Sequence, residues 1–425
     1  MSRGQDKKNV FCCKAFLVLG ILLGLEGFGQ QAADPTAILL QTRERLLADL
    51  DRMPRYTCVQ TVTRTYYDAR LRSHGSSCSA LIANSGKHRS PAFAWDRLRL
   101  EVAWANGTNV FSWVGAPRFA NDTLEKLAGE GPLGSGDFGV FLREILLRTK
   151  LDFVREQVIK GKRLLEYSYD MPLEKSTYQV RADNGWAPVG YNGIILIDPE
   201  AADLAGLTVQ IPKMPSKSSA CQATSELTYG RTSIHDRLVL IPRETRLDIL
   251  NTAGTESQSQ TIFANCREYS ATSRLIILDD SQSTSATQVD TPPLQPPTPV
   301  PSGLHFDARI NTPIDSDTAA AGDPIEAVLR SPIHGKNKAV IGPVGARIHG
   351  RLMKIRWQST PISGLEIVVR FESIEIAGRD VPLAAILNEP HMKVLMGPAI
   401  STLEERCCNQ TTSSLAVLSI FQRNI

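Results

Sequence analysis

The chain has 425 residues, 42% of them hydrophobic and 21% charged, with a formal net charge of +3 and its basic residues scattered along the sequence. That is the composition of a globular protein with room for two or three domains, and it gives no footing for nucleic acid as a partner.

Arg3, Lys7 and Lys8 precede the apolar run Phe16–Leu25, after which Gly27 and Gly29 stand where a signal peptidase would read small residues. The run falls short of the ~20 apolar residues a spanning helix needs, and Glu26 ends it. Residues 1–29 are therefore expected to be a cleaved signal peptide, with the mature chain in the periplasm or outer cell envelope and no transmembrane span after cleavage. No cysteine follows the run in lipid-anchor position.

Removal of the signal takes Cys12 and Cys13 and leaves Cys58, Cys78, Cys221, Cys266, Cys407 and Cys408. In an oxidising compartment the first four read as disulfides, and none has the close spacing of a zinc site. Four cysteines allow three pairings. Pairing nearest neighbours gives Cys58–Cys78 and Cys221–Cys266, each contributing about 3–4 kcal/mol by loop entropy.

Asp34 and Pro35 open a helix whose apolar positions Ile38, Leu39, Leu46, Leu50 and Met53 recur at helical spacing until Pro54. From Tyr56 to Tyr67 the residues turn β-branched and aromatic, as in a long strand. Leu98, Leu100, Val102 and Trp104 alternate with Arg97, Arg99 and Glu101, and Asn106-Gly107 then turns the chain into Val110–Val114, a hairpin with a type I′ signal. Further strand-like runs lie at 153–159, 164–169, 177–181, 193–197, 207–211, 224–229, 238–241, 245–250 and 261–269, interrupted once by a helical segment from Ser135 to Arg148. Consecutive antiparallel strands with two helices predict a mainly β fold, an antiparallel curved sheet or half-barrel over residues 30–278 with the helices on its concave face.

Residues 279–302 are Ser/Thr-rich and then carry Pro292, Pro293, Pro296, Pro297, Pro299 and Pro301, the composition of an extended linker. Alternation resumes with Leu304, Phe306, Ala308 and Ile310, and again with Leu365, Ile367, Val369 and Phe371, so 303–396 is expected to be a small β-barrel or sandwich. The tail from 397 to 425 breaks this pattern with Thr402–Leu415 and the vicinal Cys407 and Cys408. It reads either as a frameshifted or truncated end or as a genuine helix or disordered tail.

The segment Ala339–Arg351, with Ser302–Ile310 and Ser316–Asp323 before it, resembles the β-domain of conjugal-transfer proteins in the outer ring of type IV secretion channels. The likeness spans Ser302–Leu387, with Pro343 one place later than in the family pattern. It implies docking to an envelope assembly. Tyr56–Arg64, Gly190–Pro199 and Asn265–Ser270 resemble stretches of uncharacterised secreted bacterial proteins. The strand and helix order is also similar to the lipoprotein-carrier fold, an open half-barrel whose concave face holds acyl chains.

Motifs for chemistry are absent or misplaced. Gly129–Gly134 spells GxGxxG, but a helical segment precedes it and Pro132 sits inside it, so it reads as a loop. Ser233, His235 and Asp236 are chain neighbours that cannot form a triad, and Asp315 and Asp317 lie in a Ser/Thr/Ala turn. Trp104 shares the apolar parity of its strand, as a core or cavity-wall residue does.

No catalytic, cofactor or metal residues are assigned. Leu98, Leu100, Val102 and Trp104 are the candidate apolar cavity wall. The expected function is a non-catalytic envelope protein that binds a lipid, another apolar ligand or a partner segment and docks to envelope protein partners. The alternatives are a structural part of a secretion, conjugation or adhesion apparatus and, third, a secreted hydrolase. Exposed Pro-rich chain between two cores is the expected first site of limited proteolysis. Mass spectrometry of the digest should find a fragment beginning near residue 290, whereas first cleavage within 56–269 would refute the boundary.

Overall fold

The computed structural model describes residues 34–69, 77–85, 90–105, 108–116, 119, 124–129, 131–133, 138–183, 185–269, 300, 303–335, 338–359, 363–390 and 417–422. The signal segment, the linker apart from Val300, Asn106-Gly107, Ser135 and Cys407–Cys408 lie outside the described residues.

The helices are α1 (Pro35–Asp51), α2 (Cys78–Asn84), α3 (Leu124–Ala128) and α4 (Phe138–Arg148). α1 begins as its sequence dictates: the Asp34 carboxylate accepts from Thr36 N at 3.0 Å, and Pro35 occupies the first turn. Ile38, Thr42 and Leu46, one turn apart, are its buried residues.

The first half of the chain supplies strands β1 (Tyr56–Tyr67), β2 (Ala92–Ala105), β3 (Thr108–Trp113), β4 (Asp152–Ile159), β5 (Lys162–Met171), β6 (Gln179–Ala182), β7 (Gly185–Pro188), β8 (Tyr191–Asp198), β9 (Asp203–Ile211), β10 (Ala220–Ile234), β11 (Arg237–Asn251) and β12 (Glu256–Glu268). The second supplies β13 (His305–Ile310), β14 (Pro324–Leu329), β15 (Ile333–His334), β16 (Val340–Gly342), β17 (Arg347–Gln358), β18 (Gly364–Ile376), β19 (Arg379–Pro390) and β20 (Val417–Gln422).

The main sheet of the first half is antiparallel and open, in the order β2-β1-β12-β11-β10-β9-β8-β5-β4, with β3 on β2. β6 and β7 form a separate hairpin. The runs read as separate strands at 238–241 and 245–250 are one strand, β11, which passes Pro242 at a bulge opposite Thr228 and Tyr229. A bulge tolerates the missing N–H. In the second half β14, β13, β20, β19, β18 and β17 pair in turn, and β14 pairs back onto β17 to close a ring. The tail read as atypical contributes β20, which lies between β13 and β19.

The two halves are joined through β2. One edge of β2 pairs with β1 along its length. The other edge is divided: residues 100–105 pair with β3 and residues 94–96 with the end of β17. Between them Ala321 bridges Leu98, accepting from Arg99 N at 2.7 Å and donating to Arg97 O at 2.9 Å. Three arginine side chains reinforce the seam. Arg97 Nη1 reaches the carbonyls of Ser316 and Ala319, Arg99 binds the Asp323 carboxylate and the Thr318 carbonyl, and Arg351 Nη1 donates to Val114 O and Gly322 O. Gly322, at φ +107, packs so closely that a Cβ would strike the Arg99 carbonyl and lie 2.8 Å from the Trp113 ring.

The disulfides correct the nearest-neighbour pairing. They join Cys58 to Cys266 and Cys78 to Cys221, with Cα–Cα distances of 4.1 and 5.2 Å. The reason is topological: the chain enters the sheet at β1, in mid-sheet, and its last strand β12 returns beside it. A Cys58–Cys266 bridge thus needs no closed barrel, contrary to what consecutive strand order suggests. A bulge places both Asn265, at φ 51°, and Cys266 opposite Cys58. Cys78 opens α2, whose Leu81 packs with Cys221 and Leu250. Non-reducing peptide mapping should recover Cys58–Cys266 and Cys78–Cys221 peptides. Recovery of a Cys58–Cys78 peptide instead would contradict the strand order.

Candidate functional site

The inner face of the open sheet is covered in two unlike ways. Over β5, β8, β9 and β10, the side chains of Tyr167, Tyr169, Tyr191, Ile195, Ile197, Leu207 and Val209 pack against α1 and α4 through Ile38, Leu46, Leu142, Ile145 and Leu146. Polar clasps hold the helices there. The Tyr167 hydroxyl donates to Pro35 O at 2.7 Å, and Arg231 bridges Asp203 in β9 to Asp49 in α1 at 2.5 and 2.6 Å. Glu144 on α4 is buried and accepts from Thr177 N and Oγ1 at 2.8 and 2.6 Å. Burial disfavours the charged phenolates, raising Tyr169, Tyr178, Tyr191 and Tyr229 above the usual range and pushing Tyr167 up to about 12.

Over β1, β2 and β3 the helical cover among the described residues is the short α3. Leu98, Leu100 and Val102 are buried and Trp104 is half-buried. Leu100, Val102 and Trp104 belong to one cluster with Tyr56, Cys58, Phe111 and Ile241, while Leu98 belongs to the adjoining one with Val62 and Ala321. Among the described residues Leu124, Leu127 and Ala128 of the five-residue α3 and Leu133 after it pack on these clusters, as do Met53, Ile234 and Val239.

Beside this wall the inner face turns polar. The register of β1 aligns Gln60 with Leu100, Val62 with Leu98 and Arg64 with Asp96 on one side, and with Phe263, Thr261 and Ser259 of β12 on the other. Arg64 and Asp96 form a buried two-point pair, Nε to Oδ1 at 2.6 Å and Nη2 to Oδ2 at 3.0 Å. Gly131, at φ +133, lies over it; a Cβ there would sit 2.5 Å from the Tyr66 hydroxyl and 2.7 Å from Arg64 Nη1. Gly131 of the GxGxxG stretch thus serves close packing. Gln60 Oε1, Arg64 Nη1, Ser259 Oγ and Thr261 Oγ1 are buried without a hydrogen-bond partner among the described residues.

None of these polar residues was a candidate from the sequence. The signal was present in β1, where Gln60 and Arg64 share the inward parity of Cys58 and Val62 and interrupt an apolar stripe. Of the residues that sequence inspection weighed for a triad, the structure brings His235 Nε2 to 3.2 Å from Asp236 Oδ2 and His235 Nδ1 to 3.3 Å from Glu268 Oε2 at the exposed surface, while the Ser233 hydroxyl bonds backbone and not the imidazole. His235 is exposed in the β10–β11 turn at φ 53°, and Ser233 Oγ donates to its carbonyl at 3.2 Å. Asp315 accepts from Asp317 N and Thr318 Oγ1, as a turn cap does.

A cleft of about 520 Å³ lies among Ser168, Asp170, Asn192, Gly193, Thr208 and Gln210. Among the described residues no group of His, Cys, Asp or Glu could hold a metal ion, and no helix is long and apolar enough to cross a membrane.

No family model matches the sequence, and no curated protein matches it. Among solved structures it is similar to a DUF1329 family protein from Desulfovibrio piger, 9% identical over 56% of this chain and 94% of that one, TM-score 0.28. It is also similar to a LolA superfamily protein from Nitrosomonas europaea, 7% identical over 54% and 94%, TM-score 0.26. A third is a putative outer membrane lipoprotein-sorting protein domain from Vibrio parahaemolyticus, 11% identical over 55% and 93%, TM-score 0.28. Likeness at these TM-scores adds no weight to a functional reading, which rests on the geometry, and the conjugal-transfer resemblance of Ser302–Leu387 gains no support from it.

Removing one member of a buried ion pair strands the other, at a cost of about 3–5 kcal/mol, whereas replacing both with apolar residues costs far less. Arg64→Met should therefore lower stability by about that amount in urea titrations, and the R64M/D96L double variant should recover most of it. Equal stability of R64M and the wild type would show that the pair is hydrated.

Proposed function

We propose that the protein is a non-catalytic binder of an apolar ligand in the cell envelope. The ligand lies against the wall of Leu98, Leu100, Val102 and Trp104, beneath α3. The observation that carries this reading is the contrast in cover along one inner face. Helices of 17 and 11 residues fill the β5–β10 half, and a helix of five residues covers the β1–β3 half. A short helix contributes few buried side chains and has little helical stability of its own, so displacing it costs less than displacing α1 or α4. The four disulfide cysteines favour an oxidising compartment, in keeping with the signal-like N-terminus. Docking of the β13–β20 unit to an envelope assembly belongs to the same proposal and has the resemblance of Ser302–Leu387 as its motive.

The test is ligand uptake. Native mass spectrometry of protein purified from the envelope should show co-purified lipid, and delipidated protein should bind a neutral acyl-chain probe saturably. Val102→Trp, which replaces a wall side chain by a larger one, should weaken probe binding about tenfold or more, with circular dichroism checking that the fold is retained. Absence of both co-purified lipid and probe binding would refute the reading.

A further inference from the structure

Within that reading, on which it rests, we infer that Gln60, Arg64, Ser259 and Thr261 form a subsite for a neutral carbonyl group. Its ligand is the ester or amide of an acylated molecule whose chain runs along Leu98 and Leu100.

Four side-chain polar atoms on adjacent inward positions of β1 and β12 are buried and unpartnered among the described residues. The residues are at most 4% exposed: Gln60 1%, Arg64 4%, Ser259 0% and Thr261 0%. Each unmet buried group costs about 1–3 kcal/mol, so a cluster of them marks a place where something else supplies the bonds. The donors are of the kind a carbonyl needs. Arg64 Nη1 retains N–H bonds after Nε and Nη2 are used on Asp96, and the Ser259 and Thr261 hydroxyls rotate to donate or accept. Gln60 Oε1 is an acceptor for an amide N–H.

Charge selects among head groups. Asp96 already meets the Arg64 cation at two points, so Arg64 itself offers no uncompensated positive charge; Arg356, opposite Asp96 on β17 and 5.7 Å from the Tyr66 ring, lies on the far side of that pair from Ser259 and Thr261 on β12. A carboxylate or phosphate entering it would bring a net buried anion beside Asp96, which is costly. A neutral ester or amide meets no such penalty. Position also fits, because Gln60 and Leu100, and Val62 and Leu98, are cross-strand neighbours, which sets the polar seam directly beside the apolar wall.

The experiment uses the full mature chain with its disulfides intact, delipidated and loaded with the neutral fluorophore N-phenyl-1-naphthylamine. Dodecane, methyl undecanoate and, at pH 8, undecanoate then compete for it. The ester should displace the probe at about tenfold lower concentration than either the alkane or the carboxylate, the value of one hydrogen bond to a charged donor. The near-isosteric S259A/T261V variant leaves the Arg64–Asp96 pair in place. It should bring the ester close to the alkane and leave the alkane unchanged, and R64M/D96L should do the same. Equal displacement by ester and alkane in the wild type would overturn the subsite, assign the seam to ordered water and leave the apolar basin standing. Preference for the carboxylate would overturn the neutral-carbonyl assignment. A probe that never binds would overturn the apolar-ligand reading and the subsite with it.

Discussion

The second edge of β2 is the constraint on which the rest of the structure depends. An exposed edge presents unpaired N–H and C=O groups that invite pairing with other chains, and a fold must cover them. Here three separate pieces of the molecule do so in sequence: the end of β17, Ala321 and β3. Only a residue without a side chain fits next to the junction, because the Cβ of anything larger than Gly322 would meet the Arg99 carbonyl. Arg97, Arg99 and Arg351 then bind backbone carbonyls across the seam, each satisfying groups that a regular ladder would have paired.

This arrangement explains what the sequence shows and what it withholds. Alternation of Leu98, Leu100, Val102 and Trp104 places a strand with one apolar face, and Asp34-Pro35 places the start of α1; both are local signals. Partnership is not local. Nothing in the residues of β1 states that it lies between β2 and β12, because pairing is decided by long-range packing of faces. The disulfide pairing failed for that reason alone. A Pro-rich spacer likewise says that two segments are separate in sequence, and is silent on whether they dock. The segment Cys78–Asn84 escaped as a helix because seven residues give too short a window for period 3.6 to stand out.

The candidate site was legible by half. Its apolar wall follows from parity, but the polar seam needs the register of two strands that are 190 or more residues apart in the chain, as in the pairing of Arg64 with Ser259. Inward polar residues look like errors in a pattern until the partner strand is known. Once it is, Arg64 opposite Asp96 is a charge pair, and Ser259 and Thr261 are its small polar neighbours on β12.

A buried ion pair is a weak source of stability, since apolar residues of similar volume in its place are often neutral or better. The Arg64–Asp96 pair therefore does not account for its own presence by holding the sheet together. The wall beside it is tied to the joint instead: Ala321, which bridges Leu98 across the edge of β2, packs in the same cluster as Leu98 and Val62. Ala321 thus packs against the proposed wall and at the same time helps to fasten the β13–β20 unit to the open sheet. Any enlargement of Ala321 must push on Leu98 and on the β2 edge together, so the packing of the wall and the joint between the two halves are not independent in this fold.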